Sequence, residues 1–64
     1  MGRASRAAQL LLTARSIVRE KGVSALTLGR LAAEAGVTKP VVYSHFPDRS
    51  ALLLALYAEY EKHQ

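Results

Sequence analysis

The sequence predicts an all-α fold in which three short helices form a bundle and a fourth helix begins before the chain ends. Two observations carry this prediction: apolar residues recur at helical spacing in four segments, and glycine or proline separates those segments. The composition agrees, because 64 residues of which 50% are hydrophobic and 22% charged suit one small folded domain rather than a disordered chain. We therefore treat residues 1–64 as a single domain.

The first helix is expected over residues 6–21. With about 100° between neighbouring residues, its apolar positions fall within an arc of about 120°, the stripe of a helix that lies on a core. These positions are Ala7, Leu10, Leu11, Ala14, Ile17 and Val18. Ser5 is suited to cap the start, and Gly22 is suited to end the helix in the left-handed conformation. Val23 can then close that end with an apolar contact.

The second and third helices are predicted to form a helix-turn-helix motif over residues 27–46. Thr27 can cap the second helix and Gly36 can end it, while Thr38 can cap a third helix over about 39–46. Two helices of about eight residues joined by a short glycine-containing turn are typical of this motif. In it, the first helix supports the second, and the second is presented to the major groove of DNA.

The third helix is expected to bury Val42 and Phe46, which are four residues apart and so share a face. The remaining side chains would then lie on its other faces: Lys39, Pro40, Val41, Tyr43, Ser44 and His45.

Three of these side chains have two interpretations that the sequence leaves open. Val41 can contact a thymine methyl group, or it can cover a gap between helices. Lys39 can reach a guanine edge or a phosphate, or it can be solvated like most surface lysines. Tyr43 can donate its hydroxyl to a phosphate, or its ring can belong to the core with the hydroxyl at the rim.

The sequence predicts no catalytic, metal or cofactor site, and hence no enzyme. Ser44, His45 and Asp48 have the chemistry of a nucleophilic triad, but neighbours on a helix point about 100° apart, so a hydrogen-bonded relay is excluded. His45 and His63 are far apart in sequence, and the absence of cysteine excludes disulfides and thiolate zinc sites.

The charge distribution indicates a polyanionic partner. The net charge is +4, and residues 1–21 hold five basic side chains against one acidic. Nucleic acid is the expected partner, with charge for solubility as the alternative. Arg3 and Arg6 are either a solvated tail or an arm that follows DNA. With no apolar run of about 20 residues and no signal peptide, we expect no membrane partner and a cytoplasmic location.

The fourth helix is expected from about residue 49, after Pro47 and with Asp48 as its cap. Residues 51–58 are apolar nearly all round, although one stripe would satisfy a small bundle: Leu52, Leu53, Leu56 and Tyr60. A helix that is hydrophobic all round is normally buried on more than one side. Leu54 and Tyr57 are therefore surplus apolar surface, suited to a partner that this sequence does not contain.

The run from residue 26 to residue 53 strongly resembles the DNA-binding domain of the tetracycline-repressor (TetR) family. Its most specific segments are AGVTK at residues 35–39 and YSHFPDR at residues 43–49. The resemblance implies a homeodomain-like helix-turn-helix domain whose fourth helix leads into a larger all-α domain, absent here. That second domain binds a small-molecule effector and forms a homodimer. It also implies a bacterial cytoplasmic regulator, typically a repressor that its ligand releases from a palindromic double-stranded DNA operator.

The resemblance also assigns DNA contacts to individual positions. Positions at which family members contact base edges hold Lys39, Pro40 and Val41. Positions that contact phosphates hold Thr27, Tyr43 and Arg49, while Ser44 and His45 fall where backbone or bases are touched. Two positions depart from the family pattern: Gly29 is too short to reach DNA, and Arg30, where an acidic residue is common, could itself reach a phosphate.

A different class of function is compatible with the same residues. The chain could be a small helical protein-interaction module without DNA specificity, docking through its fourth helix. A membrane-surface peptide is less well supported, because the arginine-rich first helix carries a regular core stripe and a capped end. Salt-dependent binding to duplex DNA separates the regulator from both alternatives.

Overall fold

A computed structural model confirms the all-α fold. Over residues 5–62, which it describes with side chains for 5–58, the chain forms four α-helices and a short 3-10 turn. The helices are α1 (Arg6–Lys21), α2 (Leu28–Ala35), α3 (Lys39–His45) and α4 (Arg49–Lys62), and the 3-10 turn (Val23–Ala25) lies between α1 and α2. Arg3, His63 and the side chain of Tyr60, for which predictions were made, lie outside the described part of the chain.

Side-chain caps explain where three of the helices begin. The Ser5 hydroxyl accepts a hydrogen bond from the Ala8 N–H at 3.1 Å. The Thr27 hydroxyl accepts one from the Arg30 N–H at 3.0 Å, and an Asp48 carboxylate oxygen accepts one from the Ala51 N–H at 2.8 Å. Each bond satisfies an amide that the first turn of a helix leaves without a partner, so these predicted caps are confirmed.

Two predicted caps differ from expectation. Thr38 precedes α3 in an extended conformation, but within the described residues its hydroxyl makes no capping hydrogen bond. Gly22 has φ 90° and ψ 161°, which is not the left-handed helical conformation. Its N–H still bonds to the Val18 carbonyl at 2.9 Å, but the chain then leaves in an extended direction and enters the unpredicted 3-10 turn. The left-handed cap expected at Gly22 is therefore wrong, although the positive φ explains the glycine.

The core lies where α1, α2, α3 and α4 meet. Its buried side chains are Leu10, Ala14, Ile17, Leu26, Leu31, Ala32, Val42, Phe46, Leu52 and Leu56. Leu11, Val18 and Leu53 from the predicted stripes, together with Leu28 and Ala35 of α2, pack against this core while partly exposed. Ala7, also in the predicted stripe of α1, is partly exposed. Leu26 is fully buried although it belongs to no α-helix, so the connection between α1 and α2 contributes to the core.

The outer side of α4 carries the expected surplus of apolar surface. The side chains of Leu54 and Tyr57 are 69% and 67% exposed, and both line a groove of about 320 Å³ between α4 and the end of α1. Val23 also borders this groove and is half exposed, so the apolar contact expected from it at the end of α1 is only partial. Over residues 5–62, no helix is both long enough and apolar enough to cross a membrane.

Candidate nucleic-acid interface

The turn between α2 and α3 determines the direction in which α3 leaves the core. Gly36 has φ 73° and ψ 31°, the left-handed conformation that glycine adopts without a steric cost. The Gly36 N–H bonds to the Ala33 carbonyl at 3.3 Å, and the Val37 N–H bonds to the Ala32 carbonyl at 3.0 Å. This pair of bonds is a Schellman motif, and Val37 packs against the core beside it. The predicted glycine turn of the helix-turn-helix is confirmed.

Two buried side chains fix the rotation of α3 about its axis. Val42 is fully buried and Phe46 is 5% exposed, as the i, i+4 spacing predicts. The other sides of the helix form an exposed face of α3, which we define as Lys39, Pro40, Tyr43, Ser44 and His45. Five of the predicted DNA-contact residues are thereby exposed on one short helix.

Val41 differs from its neighbours because its side chain is only partly exposed. Part of its surface is therefore used in packing, and the rest is accessible to a ligand. Partial burial of Val41 is compatible with both interpretations of this residue, a contact to a thymine methyl group and a filler between helices.

Lys39 lies across the first turn of α2. A Cβ atom placed on Gly29 would stand 3.6 Å from the Lys39 Cε atom, which is an ordinary van der Waals distance. The absence of a side chain at residue 29 thus leaves room beside the Lys39 stem. Sequence reasoning noted only that Gly29 is too short to reach DNA, and it did not identify the lysine beside it.

The hydroxyl groups differ in the hydrogen-bonding capacity that they retain. The Ser44 hydroxyl donates to the Val41 carbonyl at 2.7 Å, so its hydrogen is occupied and its oxygen can accept. Thr27, which is exposed, uses its oxygen as an acceptor at the cap of α2, so its hydrogen can be donated to a phosphate. Tyr43 is 48% exposed, which places it on the surface rather than in the core.

Arg49 is held by backbone carbonyl groups far away in the sequence. Its Nε donates to the Leu26 carbonyl and its Nη2 donates to the Val23 carbonyl, both at 2.8 Å. The phosphate contact predicted for Arg49 would therefore use Nη1 or the second N–H of Nη2, which lie outside these two bonds. Sequence reasoning missed these carbonyl contacts. One signal was present: a cation in the first turn of a helix interacts unfavourably with the helix dipole, so its presence there favours a compensating acceptor nearby.

Two further arginines lie at the starts of helices. The Arg30 Nη1 atom is 3.5 Å from a Glu34 carboxylate oxygen, and both side chains are exposed, so this i, i+4 pair contributes little to stability. The Arg6 Nη1 atom donates to the Gln9 side-chain oxygen at 2.9 Å, which places Arg6 on α1. Within the part of the chain that the structure describes, no three His, Cys, Asp or Glu side chains cluster as metal ligands would.

Comparison with known proteins identifies the same domain. The family model described as bacterial regulatory proteins, tetR family, matches residues 10–56. The chain is 39% identical over 54 residues to the HTH-type transcriptional activator FasR of Mycolicibacterium smegmatis, covering 84% of the chain and 25% of FasR. It is 35% identical over 54 residues to the uncharacterized HTH-type transcriptional regulator Rv2250c of Mycobacterium tuberculosis, covering 84% of the chain and 29% of that protein.

The matched region contains the structural features described above. Residues 10–56 include the Gly36 turn, all of α3 and the start of α4. The chain spans between a quarter and a third of the length of these curated relatives, and no solved structure matches it significantly. By its family match and its four-helix arrangement, the chain belongs to the TetR family of bacterial regulatory proteins and carries the helix-turn-helix DNA-binding domain of that family.

Proposed function

We propose that this domain reads duplex DNA in a sequence-specific manner as the DNA-binding part of a transcriptional regulator, with α3 in the major groove. The observation that carries the proposal is the exposed face of α3, because burial of Val42 and Phe46 leaves five polar or contact-forming side chains accessible on one short helix. TetR-family regulators are in general DNA-binding proteins without enzymatic activity, which supports this function.

Base recognition falls to the N-terminal half of α3. Lys39 supplies an ammonium group suited to the acceptor atoms of guanine, and Pro40 and the accessible part of Val41 supply apolar surface suited to a thymine methyl group. All three are in the first turn of α3, which is the part of a recognition helix that contacts base edges.

Phosphate contacts are assigned to three residues outside this first turn: Thr27 before α2, Tyr43 later in α3 and Arg49 at the start of α4. Thr27 retains a free hydroxyl hydrogen, Tyr43 is about half exposed, and Arg49 retains Nη1. Ser44 and His45, further along the exposed face of α3, touch the backbone or the bases. Contacts of this kind set the position of a protein on DNA without carrying sequence information.

The remaining parts of the proposal concern the whole regulator. We propose a cytoplasmic homodimer on a palindromic operator, with a small-molecule effector that acts through a further domain and releases a repressor. The length of the relatives supports such a domain, because the chain covers 25% of one and 29% of the other. Activation is the second candidate, favoured by the name of FasR.

A pair of lysine variants tests base reading. Lys39→Ala is expected to lower affinity for a duplex selected from a random pool by about 1–3 kcal/mol more than affinity for a scrambled duplex. Lys21→Ala removes another exposed lysine, from the end of α1, and should weaken both complexes alike. Fluorescence anisotropy at fixed low salt measures both affinities. If Lys39→Ala keeps the wild-type ratio of selected to scrambled affinity, Lys39 does not read bases.

A further inference from the structure

We propose that Arg49 is a positioning residue that closes the helix-turn-helix at its base and so fixes α3 for contact with DNA. The Arg49 clasp, as we call it, is the pair of hydrogen bonds from its guanidinium group to the carbonyls of Val23 and Leu26. The inference rests on the proposed function for its effect on DNA binding, but the clasp itself is a property of the free protein.

The clasp joins the two ends of the motif. Leu26 is the last residue before the motif at 27–46, and Arg49 is the first residue of α4 after it. The two bonds span 23 and 26 residues of sequence, and both are 2.8 Å long. Bonds from a charged donor at this length are about twice as strong as neutral ones, so the clasp is a substantial tertiary contact.

The acceptors are themselves part of a defined structure. The Val23 carbonyl also accepts the Leu26 N–H at 3.0 Å, which closes the 3-10 turn. The Leu26 side chain is fully buried, so the carbonyl that Arg49 Nε contacts belongs to a residue anchored in the core. Arg49 therefore ties the start of α4 to a rigid point, rather than to a loose loop.

The clasp matters for α3 because α3 is short. It has seven residues, and the side chains that bury it are Val42 and, just past its end, Phe46. Pro47 and Asp48 separate Phe46 from α4, so a fixed start of α4 limits the movement of the C-terminal end of α3. The same bonds hold the guanidinium in place, which reduces the entropy lost when Nη1 contacts a phosphate.

Only arginine has the geometry for this contact. Its planar guanidinium presents two donors in a fixed fork, which here meet two carbonyls three residues apart. Lysine keeps the positive charge but offers it as a single ammonium on a flexible stem. Arg49→Lys therefore retains charge for a phosphate and loses the clasp.

Hydrogen exchange of the Leu26 amide in the free chain tests the clasp without DNA. This amide donates to the carbonyl that Arg49 Nη2 also contacts, so it reports on the 3-10 turn. In Arg49→Lys its exchange should become about tenfold faster or more, since hydrogen bonds to a charged group are lost. Arg30→Lys is the matched control, because Arg30 also lies in the first turn of a helix but, among the described side chains, pairs with Glu34 at the surface.

The DNA measurement then separates the two roles of Arg49. Arg49→Lys should bind DNA several-fold more weakly while keeping the wild-type slope of log K against log salt, which counts phosphate contacts. Unfolding of Arg49→Lys, with Arg30→Lys folded, also supports the clasp because the charge is conserved. Wild-type exchange at Leu26 in Arg49→Lys would overturn the clasp. Failure of the wild-type chain to bind DNA would instead refute the proposed function. The exchange result would still test the hydrogen bonds of Arg49, because it is measured without DNA.

Discussion

At the scale of single residues, the surface chemistry of α3 follows from the two side chains that it buries. Val42 and Phe46 occupy the buried face. The other side chains of α3 can contact DNA in proportion to the surface that they leave exposed. Tyr43 is about half exposed, so part of its ring can pack on the helix surface, while in the proposed function its hydroxyl donates to a phosphate.

Tyr43→Phe removes that hydroxyl and preserves the ring. We expect an unchanged thermal midpoint, because Tyr43 is 48% exposed and the phenyl ring can pack as before. DNA affinity should fall by about 0.5–1.5 kcal/mol on selected and scrambled duplexes alike, as loss of one hydrogen bond to a phosphate requires. Thermal unfolding and anisotropy titrations check the two parts. A loss confined to the selected duplex would assign Tyr43 to the bases instead.

Sequence reasoning succeeds for residues whose role depends on local spacing. The helical period predicts that Val42 and Phe46 are buried together, because apolar residues four apart lie on the same face of a helix whatever its tertiary contacts. It does not predict the contacts of Arg49, since its carbonyl partners lie 23 and 26 residues away. The proximity of Lys39 to Gly29 is missed for the same reason, because it depends on how α3 packs on α2.

At the scale of helices, the predicted boundaries are close to the observed ones because capping chemistry is local. Each of the caps at Ser5, Thr27 and Asp48 joins residues three apart, so short sequence patterns contain all of the information. The 3-10 turn after Gly22 is different. Its shape depends on burial of Leu26 and on the Arg49 clasp, which are tertiary contacts that periodicity cannot show.

Two glycines of the motif should respond to alanine in opposite directions. Gly29 lies in α2 and has room for a Cβ atom, so Gly29→Ala should raise the free energy of unfolding by up to about 1 kcal/mol through helix propensity. Gly36 has φ 73°, so Gly36→Ala should lower it by about 1–2 kcal/mol even though open space surrounds the position. Urea unfolding of the two variants provides the comparison. If Gly29→Ala lowered the free energy of unfolding as much as Gly36→Ala does, packing around residue 29 would require a glycine there.

At the scale of the whole molecule, the domain combines a small closed core with two accessible surfaces. Domains of about 60 residues bury only about 60% of the surface of their unfolded chains, so each buried leucine matters for stability. One surface is the exposed face of α3, and the other is the apolar groove beside Leu54 and Tyr57 on α4. The two surfaces correspond to the two classes of function that the sequence allows, DNA binding and protein interaction.

The measurement that tests the account most directly is a titration of the isotopically labelled chain with duplex DNA, followed by NMR of its backbone amides. At low salt, the largest shifts should occur at Thr27, at Arg49 and over residues 38–45 apart from Pro40, which has no amide N–H, and they should reverse as salt is added. The amides of Leu54 and Tyr57 should change little, since the groove on α4 is not part of the proposed interface. Shifts concentrated around Leu54 and Tyr57, or none that depend on salt, would contradict recognition of DNA by α3.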